Sequence, residues 1–325
     1  MDKRIGYGLA LLVALAAPAV AYPVFLMKVL CFALFACAFN LLIGFTGLLS
    51  FGHAAFFGGA GYICGYAIQS LGLPFEIGLL AGTGFAAAVG LLMGLLAIRR
   101  QGIYFTMITL ALAQMLYFVF LQAPFTHGED GLQGVPRGTL FGIWDLGNDL
   151  TLYYVVLAIC VAGFALIMRA VHSPFGQVLK ATKENEPRAI SLGYEVDRYK
   201  LLAFVLSAAL SGLAGATKTV VLGFETLTDV HWAMSGLVVL MTLVGGLGTL
   251  TGPIVGALLI VSLENKLGDL GRWLAQLSGV GWFNTLGESV TIVTGLIFIV
   301  CVLAFRRGIV GEIVALAGRR RSPAR

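Results

Sequence analysis

Side chains that commonly carry catalysis are scattered along this sequence of 325 residues. The four histidines, His53, His127, His172 and His231, lie in separate segments. The sequence contains no G-x-x-x-x-G-K-[ST] phosphate loop, no H-E-x-x-H zinc motif and no G-x-S-x-G nucleophile motif. We therefore expect no catalytic residue, metal or cofactor on this chain. If ATP drives its function, another polypeptide must bind the nucleotide.

The five cysteines also lack the C-x-x-C spacing of metal and redox sites. All of them fall in apolar runs, where cysteine usually serves as a small buried apolar side chain. They are Cys31, Cys37, Cys64, Cys160 and Cys301.

Uncharged polar side chains inside the apolar runs are the candidates for contact with a solute. They are Asn40, Ser50, His53, Thr106, Thr109, Gln114, Ser207, Thr249 and Thr251. Each could line a pathway, or could form hydrogen bonds between packed helices. No series of acidic residues and histidines runs through these segments, which argues against a carrier driven by protons or sodium.

Two glycine-rich stretches predict interrupted helices. The first is NLLIGFTGLLSFGHAAFFGGAGY, residues 40–62, and the second is residues 245–253, GGLGTLTGP. Paired interruptions are typical of transporter cores, and free N–H groups at a new helix start near Ser50–His53 could face a pathway. A tight turn between two ordinary helices is the alternative.

The longest polar segment, residues 173–200, predicts two short helices. Ser173 is a candidate cap before Pro174 at the first helical position. Asn185 and Pro187 restart a second helix, which Gly193 can end. Helices this short are marginal in water, so we expect them to dock on a cytoplasmic protein. A solvated loop is the alternative.

The composition indicates that membrane helices position these residues. Hydrophobic residues make up 59% of the chain and charged residues 11%, the mean hydropathy is +0.94, and glycine occurs 43 times. We predict an all-α bundle of about ten spans, because about 20 apolar residues cross the hydrocarbon core. The spans are residues 5–24, 26–44, 53–70, 75–98, 103–122, 151–170, 200–222, 233–250, 252–267 and 286–305.

Basic residues predict the orientation of this bundle. With both termini cytoplasmic, 16 of the 21 Lys and Arg residues fall on the cytoplasmic side, as the positive-inside rule requires. Residues 1–22 also resemble a cleavable signal peptide, but their apolar run is long, so we expect a retained first span. The outer segment 123–150 is either solubilising surface or the receiving site of an external partner.

Seven blocks resemble one family, the permeases of branched-chain amino-acid ABC transporters, and most closely the LivM-type subunit. The blocks are residues 40–62, GIYFTMITLALAQM, HGEDGLQGVP, SPFGQVLKATKENEPRAISLG, LLAFVLSAALSGLAGA, VVLMTLVGGLGTLTGPIVGA and GLIFIVCVLAFRRGIVGEI. They keep the family's order from about residue 30 to 312. The resemblance implies a single permease domain over residues 1–325, in a bacterial cytoplasmic (inner) membrane, with a cytoplasmic coupling loop at residues 173–199.

The same resemblance implies the partners. They are a second, LivH-like permease, two cytoplasmic ATPases that bind ATP, and a periplasmic solute-binding protein; no nucleic acid is implied. The implied ATPase contacts are Ser173, Pro174, Lys180, Glu184, Glu186, Arg188, Ala189 and Gly193. Glu186, Ala189 and Gly193 fit the importer pattern of E-A-A followed by Gly, whereas Pro187 and Arg188 depart from it. The solute is a branched-chain amino acid or a relative such as urea, an amide or an aromatic acid. A self-sufficient carrier or channel is the rival interpretation.

Overall fold

The computed structural model describes residues 3–19, 21–278, 295–296, 299 and 308–312, with the backbone alone for residues 3–7, 9 and 267–278. This part of the chain is mostly helical. Its helices are α1 (Lys3–Ala16), α2 (Pro23–Thr46), α3 (His53–Gln69), α4 (Phe75–Ala97), α5 (Ile103–Gln122), α6 (Asp149–His172), α7 (Pro174–Glu184), α8 (Glu186–Ser191), α9 (Val196–Leu222), α10 (Leu227–Val230), α11 (Trp232–Gly245) and α12 (Gly252–Ser278).

Four two-residue strands lie between helices. They are β1 (Leu132–Gln133), β2 (Thr139–Leu140), β3 (Trp144–Asp145) and β4 (Phe224–Glu225). Strand β1 pairs antiparallel with β4, with Leu132 opposite Glu225, and β2 pairs antiparallel with β3. The segment after α5 is thereby fixed to the segment after α9.

Five of the helices in the described ranges, α2, α4, α5, α6 and α9, are long and apolar enough to cross a membrane. Helices α3, with 17 residues, and α11, with 14, match predicted spans but are shorter than a full crossing. The predicted tenth span, residues 286–305, lies almost entirely outside the described residues. The membrane-helix architecture is therefore confirmed, while the count of ten spans stays a prediction.

The first predicted span, residues 5–24, is wrong as a single helix. Helix α1 ends at Ala16, residues Ala17–Ala19 form a 3₁₀ turn, and Pro23 begins α2. Proline lacks a backbone N–H and clashes with the preceding turn, so Pro18 and Pro23 interrupt what hydropathy alone joins.

Helices α2 and α9 form the centre of the bundle, and α5 lies at its surface. Of the most apolar 18 residues of each helix, 78% are buried in α2 and 67% in α9, whereas 22% are buried in α5. Close packing depends on glycine: a Cβ at Gly215 of α9 would lie 1.9 Å from the carbonyl oxygen of Phe57 in α3. Small residues allow such approach between membrane helices.

Contacts divide the connecting segments between two ends of the bundle. At one end, which we call the β end, Gln69 Nε2 donates to Gln133 O and Glu76 accepts from Phe141 N–H. At the other, which we call the α7 end, Lys183 contacts Gly44 and Thr106 contacts Leu49. From α2 to α5, successive helices thus run in alternating directions, as expected of a polytopic membrane bundle.

Candidate pathway and coupling site

The first glycine-rich stretch is an interruption between α2 and α3. Helix α2 ends at Thr46, Gly47 adopts the left-handed φ of +78° that favours glycine, and α3 begins at His53. Residues 47–52 are irregular backbone. The predicted break is therefore present, in a segment that is largely buried.

Three N–H groups around the start of α3 have hydrogen-bond partners, whereas the sequence suggested that such groups could be free. Phe51 N–H donates to Thr109 Oγ1 at 3.3 Å, and Gly52 N–H donates to Ser50 Oγ at 3.1 Å. Ala54 N–H donates to Ser235 Oγ at 2.8 Å. Hydroxyl groups thus take the place of the missing helical carbonyls. Sequence reasoning missed Ser235, which lies on α11, 181 positions away.

The second glycine-rich stretch meets the first. Asn40 of α2 is only 2% exposed, and its Nδ2 donates to Thr249 O at 2.8 Å. Its Oδ1 accepts from Gly248 N–H at 2.9 Å, while Thr249 Oγ1 accepts from Gly252 N–H at 3.1 Å and so caps α12. The structure therefore brings together the two interruptions that the sequence suggested as a pair.

Two further candidates form a buried polar contact between α3 and α9. His53 Nε2 lies 2.8 Å from Ser207 Oγ, and that hydroxyl donates to Ala38 O at 2.6 Å. Because the hydroxyl has one proton, the ring nitrogen is the donor. The aromatic rings of Phe39 and Phe204 stand edge-on to the imidazole.

The remaining candidates are spread out. Thr106 Oγ1 donates to Leu49 O at 2.9 Å, beside the first interruption. Gln114 Nε2, further along α5, is buried and has no hydrogen-bond partner among the described residues. Thr251 lines a cavity of about 400 Å³ together with residues of α1, α2 and α6. A solute pathway along these residues stays a prediction, since most of them form hydrogen bonds inside the chain.

The polar segment after α6 contains the two predicted short helices, α7 and α8. Asn185 Oδ1 accepts from Arg188 N–H at 3.1 Å and caps α8, and Gly193 follows with φ of +87°. Ser173 is the N-cap residue of α7 and Pro174 follows at the first helical position, as predicted. The predicted side-chain cap is wrong, because the Ser173 hydroxyl donates back to Ala170 O at 2.7 Å.

Two lysines attach this segment to the bundle. Lys200 of α9 is 2% exposed and its Nζ lies 2.6 Å from Glu186 Oε1 at the start of α8. Lys183 Nζ donates to Gly44 O at 2.7 Å. Ala189 is buried, whereas Ile190 and Leu192 are 56% and 69% exposed. The other predicted contacts, Pro174, Glu184 and Arg188, are exposed, Gly193 lies on the same surface, and Ser173 and Lys180 are half-buried.

Sequence reasoning missed a buried ion cluster at the β end. Lys218 of α9 forms ion pairs with Asp229 of α10 and, at 3.4 Å, with Glu225 of β4. The three residues are 3%, 5% and 0% exposed. A lysine inside an apolar run, followed by two acids within eleven positions, is the signal that could have found it.

Polar neighbours compensate part of the cost of burying these charges. Thr219 Oγ1 donates to Glu225 Oε2 at 2.6 Å, and Thr226 Oγ1 donates to Asp229 Oδ2 at 3.0 Å. Glu225 Oε1 and the Tyr62 hydroxyl have no hydrogen-bond partner within the described ranges. Burial raises the pKa of the Glu225 carboxyl to about 8, against the lowering effect of Lys218. The cluster ties α9, β4 and α10 together beneath the paired strand β1.

Comparison with known proteins agrees with this architecture. Residues 24–303 match the family described as branched-chain amino acid transport system / permease component. The chain is 28% identical over 263 residues to the high-affinity branched-chain amino acid transport system permease protein LivM of Escherichia coli (strain K12), covering 74% of this chain and 62% of the relative. It thus spans less than two thirds of that relative's length.

Other relatives carry different solute names. The ribose import permease protein RbsC of Bacillus subtilis (strain 168) is 30% identical over 60% of this chain and 58% of its own length. The autoinducer 2 import system permease protein LsrC of Klebsiella pneumoniae is 29% identical over 56% of this chain and 52% of its own length. The match to the family covers most of the chain. This chain therefore belongs to the family described as branched-chain amino acid transport system / permease component.

Proposed function

We propose that this chain is one permease subunit of a bacterial ABC importer that moves branched-chain amino acids, or a related small solute, into the cytoplasm. It works with a second, LivH-like permease, two cytoplasmic ATPases that bind ATP and a periplasmic solute-binding protein. The number of spans that we infer is ten. The α7 end faces the cytoplasm together with both termini, and the β end faces outward.

The surface of α8 is the observation that carries this proposal. Ile190 and Leu192 are apolar and exposed on a segment that Lys200 and Lys183 fix to the bundle. A fixed apolar surface in a polar segment is suited to bind another protein. The basic residues Arg99, Arg100, Arg169 and Arg188 lie at this same end, which supports its assignment to the cytoplasm.

The distribution of polar groups fits a path of mild polarity. The buried charges lie at the β end and, in Lys200, at the α7 end, whereas Asn40, His53 and Ser207 supply uncharged groups along the bundle. A separate binding protein that selects the solute removes the need for a strongly charged site in the membrane. The choice of a branched-chain amino acid rests on the likeness to LivM; relatives named for ribose and autoinducer 2 show how far solutes vary among similar chains.

Co-purification tests the assembly. The tagged chain, extracted with mild detergent from membranes that contain the four partners, is expected to retain the ATPases and the second permease. An Ile190→Glu, Leu192→Glu variant is expected to lose the ATPases and keep the permease, and an exposed change at the β end, Ile143→Glu, is expected to keep both. Full ATPase recovery with the double variant would contradict the proposed docking surface.

A further inference from the structure

Three segments meet at one point of the α7 end. They are the end of α2, the loop between α11 and α12, and the end of α7. A Cβ at Gly44 would lie 2.9 Å from Gly248 N, so the first two segments touch through their backbones. Asn40 holds them together through Gly248 and Thr249, at 2.9 and 2.8 Å. We call this contact the Asn40 junction.

Lys183 brings α7 to the Asn40 junction. Its ammonium group donates to Gly44 O at 2.7 Å. Gly44 lies within the last turn of α2, where the final carbonyl groups lack a helical partner and carry the negative end of the helix dipole. The stem of Lys183 also packs 3.2 Å from the position of a Cβ at Gly47. Lys183 therefore contacts the end of α2 both through its charged group and through its apolar stem.

The two contacts differ in burial. Asn40 is enclosed, so breaking its bonds would leave polar groups unpaired in a dry site. Lys183 is exposed, so its ammonium group can replace the Gly44 carbonyl with water as a hydrogen-bond partner at little cost. A movement of α7 can thus change the contact at Gly44 readily, whereas opening the Asn40 junction would break two enclosed hydrogen bonds.

We propose that Lys183 is a positioning residue that transmits movement of α7 and α8 to the Asn40 junction, so that the junction opens and closes with the ATPase cycle. This inference rests on the proposed function. Lys180, whose Nζ lies 5.8 Å from the centre of the Phe45 ring, is a second contact between α7 and the same helix end. Lys183 provides the connection to Gly44 itself.

The test uses the complete complex in proteoliposomes. The variants are Lys183→Met, Lys183→Arg and a matched control, Arg169→Met, which removes an exposed charge at the same end. Each is combined with Leu247→Cys, next to Gly248 and 39% exposed, for labelling with a maleimide. The measurements are ATP hydrolysis, solute uptake and the dependence of labelling on ATP.

We expect Lys183→Met to keep hydrolysis within about twofold, to lower uptake about tenfold, and to make labelling independent of ATP. Lys183→Arg, which can still donate to Gly44 O, is expected to restore both uptake and ATP-dependent labelling, and Arg169→Met is expected to match the parent. Unchanged uptake in Lys183→Met, or labelling that still follows ATP, would overturn the inference while leaving the importer intact. Absence of ATP-driven uptake in the parent complex would instead remove the proposed function, and the inference with it.

Discussion

Lys218 and Asp229 form an ion pair in which both residues are almost completely buried, at 3% and 5% exposure. The lysine is shared with Glu225, and the ring of Phe57 lies 5.6 Å from its ammonium group. Buried charges of this kind are tolerated only when paired, because each ion loses its hydration. The pair therefore fixes α9 to α10 at the β end of the bundle.

Removing the lysine is expected to destabilise the protein strongly. In Lys218→Met, the Asp229 carboxylate loses its cation in a dry site, at a cost of about 3–5 kcal/mol. The measurement is the thermal midpoint of the purified protein in detergent. The triple variant Lys218→Met, Glu225→Gln, Asp229→Asn removes every charge of the cluster and is expected to recover most of the loss. If Lys218→Met has the same thermal midpoint as the parent, the cluster does not stabilise the protein.

The stability of the folded protein is expected to depend on pH through the Glu225 carboxyl. Burial raises its folded pKa to about 8, with Lys218, Asp229 and Tyr62 as the ionisable groups that face it. Between the unfolded value, near 4.5, and about 8, the folded protein holds a proton that the unfolded chain releases. Stability is therefore expected to fall as pH rises through this window.

Thermal midpoints measured from pH 5 to 9 check this dependence. Glu225→Gln cannot ionise, so its midpoint is expected to vary less with pH and to exceed that of the parent at pH 9. Parallel pH profiles for the two proteins would contradict the assignment to Glu225.

The close approach of α9 to α3 requires glycine at position 215. A Cβ there would lie 1.9 Å from Phe57 O, so Gly215→Val forces the central helices apart. Overpacking of this kind commonly costs about 1–3 kcal/mol or more. We expect a large loss of monodisperse protein in size-exclusion chromatography. Gly84→Val is the control, because a Cβ at Gly84 meets nothing within 4 Å. Equal recovery of both variants would refute the predicted contact.

We expect the ion pair between Lys200 and Glu186 to keep α8 folded against the bundle. Lys200→Glu places like charges together in a nearly buried site and is expected to release the segment, so that trypsin cleaves after Arg188 several-fold faster. Adding Glu186→Lys restores opposite charges and is expected to recover most of the resistance. If the double variant is cleaved as fast as the single one, the ion pair does not hold α8.

Local rules were sufficient for the parts of the site that depend on neighbouring residues. Pro174, Asn185 and Gly193 define the bounds of α7 and α8 through helix-start and helix-end preferences that operate over a few positions. The glycine-rich interruptions were predicted for the same reason. Pro18 is also visible in the sequence, but hydropathy counts apolar residues and not backbone interruptions, so it predicts the first span as one helix.

Partners distant in sequence could not be predicted. Asn40 meets Gly248 across 208 positions, and Ala54 meets Ser235 across 181. Nothing in either segment specifies its neighbour, because the choice depends on how whole helices pack. The same holds for Lys183, whose role is visible only once α7 lies against the end of α2.

The most direct test of the central claim is uptake by proteoliposomes of defined composition. Radiolabelled leucine, urea, ribose and an aromatic amino acid are presented to vesicles that contain this chain alone, or the chain with the second permease, both ATPases and the binding protein. We expect no uptake by the chain alone, and uptake by the full assembly that requires ATP, with leucine preferred. Uptake of any of these solutes by the isolated chain, or uptake by the assembly that is indifferent to ATP, would contradict it.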